Sequence, residues 1–507
     1  MSAPRATMTV DELIVGAGFA GIGMALQLQR SGRSNFAIIE RGASVGGTWR
    51  DNTYPGVACD VPSHLYGFAS HPNPEWSALF ARGDEIHGYL QKIVRDERLE
   101  GQLLLNTTLT NAQWDAARSL WVVSISGDAP GVIEASTLVL ACGRLTEPVI
   151  PDVPGLDTFT GPLFHSARWD HNAELAGKRV AVIGTGASAV QLVPELARTT
   201  AHVTVFQRTA PWIVPRDARR YSAEELSTFR DDPAALARLR EELYFEGEAR
   251  YAARSGDAAA AADATAIADA HREAHVADPA LRAALRPTYA FGCKRVLLSD
   301  DYYPAVASDR VTVEASALES VAGSTLTAAS GERYDVDIVV LATGFAAAQQ
   351  PYAHLIMGET GQTLAEHWHA GMTSFASTVV SGFPQMFVLN GPNASLGHNS
   401  SVLMAEAQAE YVTQCLDRAP GRGGILRVRP EAEAAYSAAI DVAAAATPWM
   451  SGGCHNWYVD DRSGRLTLLW PGTVQAFRDM LATTTTTTGD EFFPTDVCSP
   501  SASIGAS

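Results

Sequence analysis

The sequence predicts an α/β fold made of two Rossmann-like dinucleotide-binding domains, with a helical insertion in the second. Three observations predict it. A glycine-rich turn, Gly16-Ala17-Gly18-Phe19-Ala20-Gly21, follows the apolar run Leu13-Ile14-Val15. A second, Gly184-Thr185-Gly186-Ala187-Ser188-Ala189, follows Arg179-Val180-Ala181-Val182-Ile183, and an alanine-rich, charged stretch lies between about 218 and 286. Each turn stands where a strand would hand over to a helix, the context this fold requires.

In the first turn Gly16, Gly18 and Gly21 keep side chains away from a helix N-terminus, where free N–H groups and the helix dipole bind a pyrophosphate. The next apolar run, Phe36-Ala37-Ile38-Ile39, ends in Glu40. An acid at that distance accepts hydrogen bonds from an unphosphorylated ribose, such as the adenosine ribose of FAD.

The second turn is coupled to a different strand end. Its next strand, His202-Val203-Thr204-Val205-Phe206, leads to Gln207-Arg208-Thr209 rather than to an acid. A guanidinium makes bidentate, charge-assisted bonds to phosphate, so Arg208 with Thr209 points to the 2′-phosphate of NADPH. Gly184, Thr185, Gly186, Ser188 and Gln191 complete the candidate contacts of that cofactor.

Composition sets the outer bounds. A chain of 507 residues buries a large core and divides into more than one domain. A formal charge of −18 speaks against a nucleic-acid partner or an anionic membrane surface. No run reaches the roughly twenty apolar residues of a membrane span. The apolar stretch near Leu13 reads as nucleotide fold rather than signal peptide, because Asp11 and Glu12 precede it and glycines interrupt it. The expected compartment is the cytoplasm. The six cysteines form no CxxC pair, which disfavours a zinc site or a redox dithiol and predicts small buried or free thiols.

Motif order divides the chain. Residues 1–150 form the first part of the FAD domain and close with the strand pattern 137–142. The proline-rich connector 148–155 leads into an NADPH domain at 151–336, with the insertion at about 218–286. Residues 337–482 return to the FAD domain through the buried strand 337–342, a second strand at 386–390 and a helix from Ser401 to Cys415. Residues 483–507, opening on a threonine run, have little to bury and read as a disordered tail.

Between the two glycine turns stands Phe159-x-Gly161-x-x-x-His165-x-x-x-Trp169-Asp170. With Gly46-Gly47-Thr48-Trp49, Tyr54-Pro55-Gly56-Val57-Ala58-Cys59-Asp60, Cys293-Lys294-Arg295 and Ala342-Thr343-Gly344-Phe345, it makes the chain similar to the type I Baeyer–Villiger monooxygenases, a class B flavoprotein monooxygenase family. The likeness spans nearly the whole chain apart from its ends and the alanine-rich insertion. The chain departs from many members at Ser166, where they carry threonine, and at Asp170, where they carry proline.

The resemblance implies the chemistry. NADPH reduces FAD, dioxygen adds to the reduced flavin, and the peroxyflavin attacks a ketone to give an ester or lactone. By the same resemblance Arg295 stabilises the developing negative charge and Asp60 orients it and contacts the flavin. Thr48, Trp49, Asp51 and Tyr66 match flavin contacts, Lys294 joins Arg208 and Thr209 at the 2′-phosphate, and Trp457 reaches the nicotinamide and substrate pocket. Phe159, Gly161, His165, Trp169 and Asp170 form the fingerprint, which couples domain motion to catalysis. Two other readings stay open: a flavin N- or S-oxygenase, and a non-oxygenating NADPH–flavin reductase. A monomer and a homodimer are equally compatible with the sequence, and no metal is called for.

Overall fold

The computed structural model describes residues 7–128, 130–418 and 424–486. Its first sheet opens with β1 (Thr7–Val15), followed by helix α1 (Phe19–Arg30) and the wholly buried β2 (Phe36–Ile39). The short β3 (Leu103–Leu104) pairs with β2. An antiparallel meander of β4 (Thr107–Asp115), β5 (Leu120–Gly127) and β6 (Gly131–Leu140) then brings the chain back beside β1. Val15 lies opposite both Ile39 of β2 and Leu140 of β6, all in parallel register. The three strands therefore end at one level, and Gly16, Glu40 and residues 141–143 leave the sheet side by side.

The second sheet repeats this device. It is wholly parallel and contains β7 (Leu163–His165), β8 (Arg179–Ile183), β9 (His202–Phe206), β10 (Val311–Glu314) and β11 (Ile338–Leu341), in the order β10-β9-β8-β11-β7. Helix α2 (Ala187–Thr199) follows the second glycine turn. Ile183 lies opposite Phe206 and Leu341, and Leu341 opposite His165, so these strands also end level. The central strands β8, β9 and β11 are buried on both faces, one packed against helix α2 and its neighbours and the other against a three-stranded antiparallel sheet within 318–335.

Between these strands the alanine-rich stretch forms helices α3 (Ala223–Asp231), α4 (Pro233–Ala249), α5 (Ala252–Ser255), α6 (Ala258–His275) and α7 (Pro279–Ala284). Alanine propensity propagates them, and polar side chains start them. Ser222 forms a capping box with Glu225, while Asp232, Asp257 and Asp278 accept from the first free N–H groups of α4, α6 and α7. The insertion lies against the first domain, where Arg240 donates to the His64 carbonyl at 2.7 Å and Glu248 accepts from Asn399 at 2.9 Å.

The chain then returns to the first sheet. The segments 147–149 and 344–346 run side by side between the two sheets, Val149 N–H donating to Gly344 and Ala346 N–H to Glu147, each at 2.9 Å. β12 (Ile356–Met357) adds to β4, and β13 (Met386–Val388) adds to the second half of β6, both in parallel. Helix α8 (Ser401–Arg418) shares a core with α1 through Met24, Leu28, Met404 and Val412. Helix α9 (Val474–Thr486) packs on α8.

The α/β class with two dinucleotide folds and a helical insertion is thus what the chain adopts. The expected tail needs one correction: α9 continues through 483–486. Thr483 and Thr484 turn their hydroxyls back onto the carbonyls of Asp479 and Leu481, each at 2.8 Å, so the polar run is accommodated within the helix. The rest of that tail lies outside the described residues. Among the described residues no helix is long and apolar enough to cross a membrane.

Candidate active site

A cleft of about 1290 Å³ runs between the two sheets and is lined by both glycine turns. At Gly16 φ is +105°, and a Cβ there would stand 2.5 Å from the Ala141 carbonyl oxygen. A Cβ at Gly21 would stand 1.9 Å from the Gly16 carbonyl oxygen, so α1 packs on the turn only through glycine. A Cβ at Gly18 would stand 3.8 Å from the Gly47 Cα, in van der Waals contact, so without side chains the two glycines leave the mouth of the turn clear. This is a cradle a phosphate can enter. Glu40 accepts from Ala17 N–H at 2.9 Å, Gly42 N–H at 2.8 Å and Arg50 Nη1 at 2.7 Å. With about four lone-pair sites on a carboxylate, an acceptor remains for a ribose hydroxyl.

Thr48, Trp49 and Asp51 sit on the short helix Thr48–Asp51, beside the cradle. Trp49 Nε1 donates to the Tyr66 hydroxyl at 3.3 Å, and Asp51 accepts from Arg50 Nε at 2.7 Å. All four expected flavin-side residues therefore line one wall. Arg50, which ties Glu40 to Asp51, carries no motif signal.

The second cradle repeats the first. Gly184 has φ +115°, and a Cβ there would lie 2.4 Å from the Ala342 carbonyl oxygen. Thr185 donates to the Thr209 carbonyl at 2.9 Å, holding the turn against the strand end that carries Arg208. Ser188 lines the cleft. Gln191 lines it too, but its amide is engaged by the first domain, accepting from the Tyr54 hydroxyl at 2.8 Å and donating to the Ala58 carbonyl at 2.9 Å. A side chamber of about 420 Å³ brings Arg208, Thr209 and Lys294 together with Tyr289, Cys454 and His455. Lys294 Nζ lies 5.2 Å from the centre of the Tyr289 ring, and burial followed by the Arg208 charge pulls its pKa down. Two cations facing one chamber suit a dianion.

Where the two cradles meet, Arg295 and Asp60, 235 residues apart, form an ion pair. Nε and Nη2 of Arg295 both donate to Asp60 Oδ2, at 3.0 and 2.6 Å. Burial pushes the Asp60 carboxyl up, but Arg295 and then Arg216 outweigh it and hold it below the usual carboxylate range. The Asp60 charge in turn raises the pKa of Arg295. The guanidinium is a permanent cation whose Nη1 is not used by Asp60. Arg216 braces the loop from behind, donating to the Cys59 carbonyl at 2.5 Å. Trp457 and Tyr458, with ring centres 4.4 Å apart, close the same part of the cleft.

The fingerprint residues lie beside this centre rather than in it. His165 ends β7, its Nδ1 accepting from Ala167 N–H at 3.0 Å and its ring edge-on to Phe345 at 5.6 Å. Burial pulls its pKa down, so it is neutral at pH 7. Trp169 stands edge-on to Phe164 at 5.0 Å, and Asp170 caps the next turn through Asn172 N–H at 2.9 Å. Phe159 packs against the core on one face of the second sheet, and a Cβ on Gly161 would stand 2.2 Å from the Asp337 carbonyl oxygen. Phe345 lines the cleft, so His165 touches a residue of the site without entering it.

One expectation is corrected outright. Cys293 and Cys454 are joined in a disulfide across 161 residues of sequence, so they are not free thiols. No local spacing announces a pair that tertiary packing brings together. Cys59, Cys142 and Cys415 are free as expected, and Cys498 lies outside the described residues. The bridge ties the loop carrying Lys294 and Arg295 to the segment carrying His455 and Trp457. Reduction, or Cys454→Ser, is expected to raise the KM for NADPH by about three- to tenfold with a smaller change in kcat, because a loosened loop misplaces Lys294. An unchanged KM would show that the loop holds its place without the bridge.

A model of the pyridine nucleotide-disulphide oxidoreductase family matches residues 13–227. A Baeyer-Villiger monooxygenase of Streptomyces coelicolor is 42% identical over 467 residues, covering 92% of this chain and 89% of that protein. The crystal structure of cyclohexanone monooxygenase from Rhodococcus sp. Phi1 bound to NADP+ superposes with a TM-score of 0.83 at 27% identity, covering 94% of this chain and 97% of the other. The structure of the OTEMO complex with FAD and NADP superposes with a TM-score of 0.84 at 25% identity, covering 96% and 99%.

Proposed function

This chain belongs to the Baeyer–Villiger monooxygenases, and we propose accordingly that the Arg295–Asp60 pair is the centre at which a ketone is oxygenated. The enzyme uses FAD and NADPH. The proposed conversion, R–CO–R′ + O2 + NADPH + H+ → R–CO–O–R′ + NADP+ + H2O, places one oxygen atom in an ester or lactone and the other in water. Bound FAD supplies the oxygen activation and NADPH the two electrons.

The residues present fit both cofactors. The Gly16–Gly21 turn and Glu40 would hold the FAD pyrophosphate and ribose, and the Gly184–Gly186 turn with Arg208, Thr209 and Lys294 would hold NADPH. The protein's own contribution is electrostatic. Arg295 presents a fixed cation at the junction of the cradles, and Asp60 holds its orientation through Oδ2 while leaving Nη1 to meet an oxyanion. Trp457, Tyr458 and Phe345 restrict water there. His165 is neutral and acts on position through Phe345 rather than as a base. NADPH is a reductant of the cell interior, which supports a cytoplasmic setting.

The observation that carries the reading is the Arg295–Asp60 pair at the meeting point of two dinucleotide cradles of opposite ribose chemistry. The test is turnover of NADPH-reduced holoenzyme with 18O2 and a panel of cyclic and linear ketones. Ester or lactone carrying one 18O is expected. Hydrogen peroxide as the sole oxygen product with every ketone would remove the oxygenation reading.

A further inference from the structure

Gly143 turns the chain at the carboxyl end of β6, and the next residue, Arg144, lines the cleft beside the Arg295–Asp60 pair. Its partners are all neutral. Nη2 donates to the Ser395 hydroxyl, Nη1 reaches the Asn390 carbonyl at 3.4 Å, and Nε is buried without a partner. Among the described residues no carboxylate lies within ion-pair distance of it. Its electrostatic neighbours are a second cation, Arg295, and the Tyr458 and Tyr66 hydroxyls. The one carboxylate of this centre, Asp60, is engaged by Arg295.

Arg144 and Arg295 line the cleft here, Arg216 and Arg254 stand behind them within electrostatic reach of Asp60, and Asp60 is the carboxylate among these four guanidiniums. A partly buried cation without a counter-ion is costly, and because Arg144 faces the cleft, a ligand entering there can provide the anion. Burial and Arg295 push the pKa of Arg144 down to about 10, so it remains charged at neutral pH. The phosphates expected in the cleft have their own cradles at the glycine turns and at Arg208 and Lys294. Ser395 and Asn390 fix the plane of the guanidinium, leaving donors for a carboxylate to approach.

Building on the ketone-oxygenation reading, we propose that Arg144 anchors a carboxylate on the substrate, so that the ketones this enzyme selects are oxo acids. The carboxylate binds at Arg144 while the carbonyl faces Arg295, and the spacing of the two guanidiniums selects the length between the groups. The position escapes motif analysis, because a single arginine after a strand-ending glycine is read as surface until the fold encloses it.

The test pairs levulinate and its longer methyl-ketone homologues with their primary amides, which match in shape but lack charge. For the wild-type holoenzyme the ratio of kcat/KM for acid over amide should reach about tenfold or more at one chain length, mostly through KM. In Arg144→Gln the ratio should collapse to about one, and in Arg144→Lys it should recover in part. FAD content and thermal midpoint report folding for each variant. Amides used as well as acids along the whole series would overturn the proposal. So would an Arg144→Gln enzyme in which both rates fall but the ratio stands, since Arg144 would then serve the flavin or the 390–395 loop. No ester from any acid or amide alongside ester from uncharged cyclic or linear ketones would overturn this proposal alone, whereas no ester from any ketone would remove the underlying reading and this proposal with it.

Discussion

Arg295→Ala is expected to lower ester formation by about 10²–10³-fold while NADPH still reduces the bound flavin. In the proposed reaction the arginine would provide donors and charge where an oxyanion develops, an interaction that belongs to the transition state rather than to the resting complex. The change shows as a loss in kcat with a smaller change in KM, and as hydrogen peroxide replacing ester. Arg295→Lys keeps a charge but not the two donors that meet Asp60 Oδ2, so it should recover only part of the rate. Ester formation at the wild-type rate by Arg295→Ala would refute the assignment.

The same pair sets a pH dependence. Arg295 holds the folded-state pKa of Asp60 below its ordinary value, so the stability and order the pair contributes are present above the usual carboxylate pKa and lost only as pH falls through the lowered one. The wild-type enzyme should therefore show no acid limb from Asp60 at pH 5 or above. In Arg295→Ala burial is no longer opposed by that charge, and the Asp60 carboxyl should titrate at higher pH. Residual flavin reduction measured against pH would show the shift.

The second large effect concerns cofactor choice. Arg208→Ala is expected to cut the preference for NADPH over NADH by about 10- to 100-fold, since a charge-assisted bond to phosphate contributes about 1.5–3 kcal/mol. The loss should fall on the KM for NADPH and leave NADH almost untouched, because only NADPH carries the 2′-phosphate. Lys294→Ala should act in the same direction, and the two changes should be non-additive because both side chains face one chamber. Equal effects on NADPH and NADH would show that Arg208 holds the domain rather than the phosphate.

Much of this molecule is legible in short windows of sequence. The two glycine turns, the acid at Glu40, the arginine at Arg208 and the apolar runs before them are local signals. A positive φ at Gly16 and Gly184 and burial on both faces of a parallel strand leave their mark within a few residues. Asp60 and Arg295 are legible as well, but through resemblance rather than spacing. Arg144, Arg216 and Tyr458 carry no signal, since an arginine or tyrosine in a loop looks the same whether it faces solvent or a closed centre.

Local sequence thus dictates the strand–turn–helix units, their order, and which unit favours a free ribose and which a phosphorylated one. Only packing in three dimensions makes Asp60 meet Arg295 across 235 residues, joins Cys293 to Cys454 across 161, and leaves Arg144 without a counter-ion beside them. The difference is one of range. Backbone dihedrals and hydrophobic period are properties of neighbouring residues, whereas the convergence of charges depends on how two sheets and an inserted helical layer pack against one another.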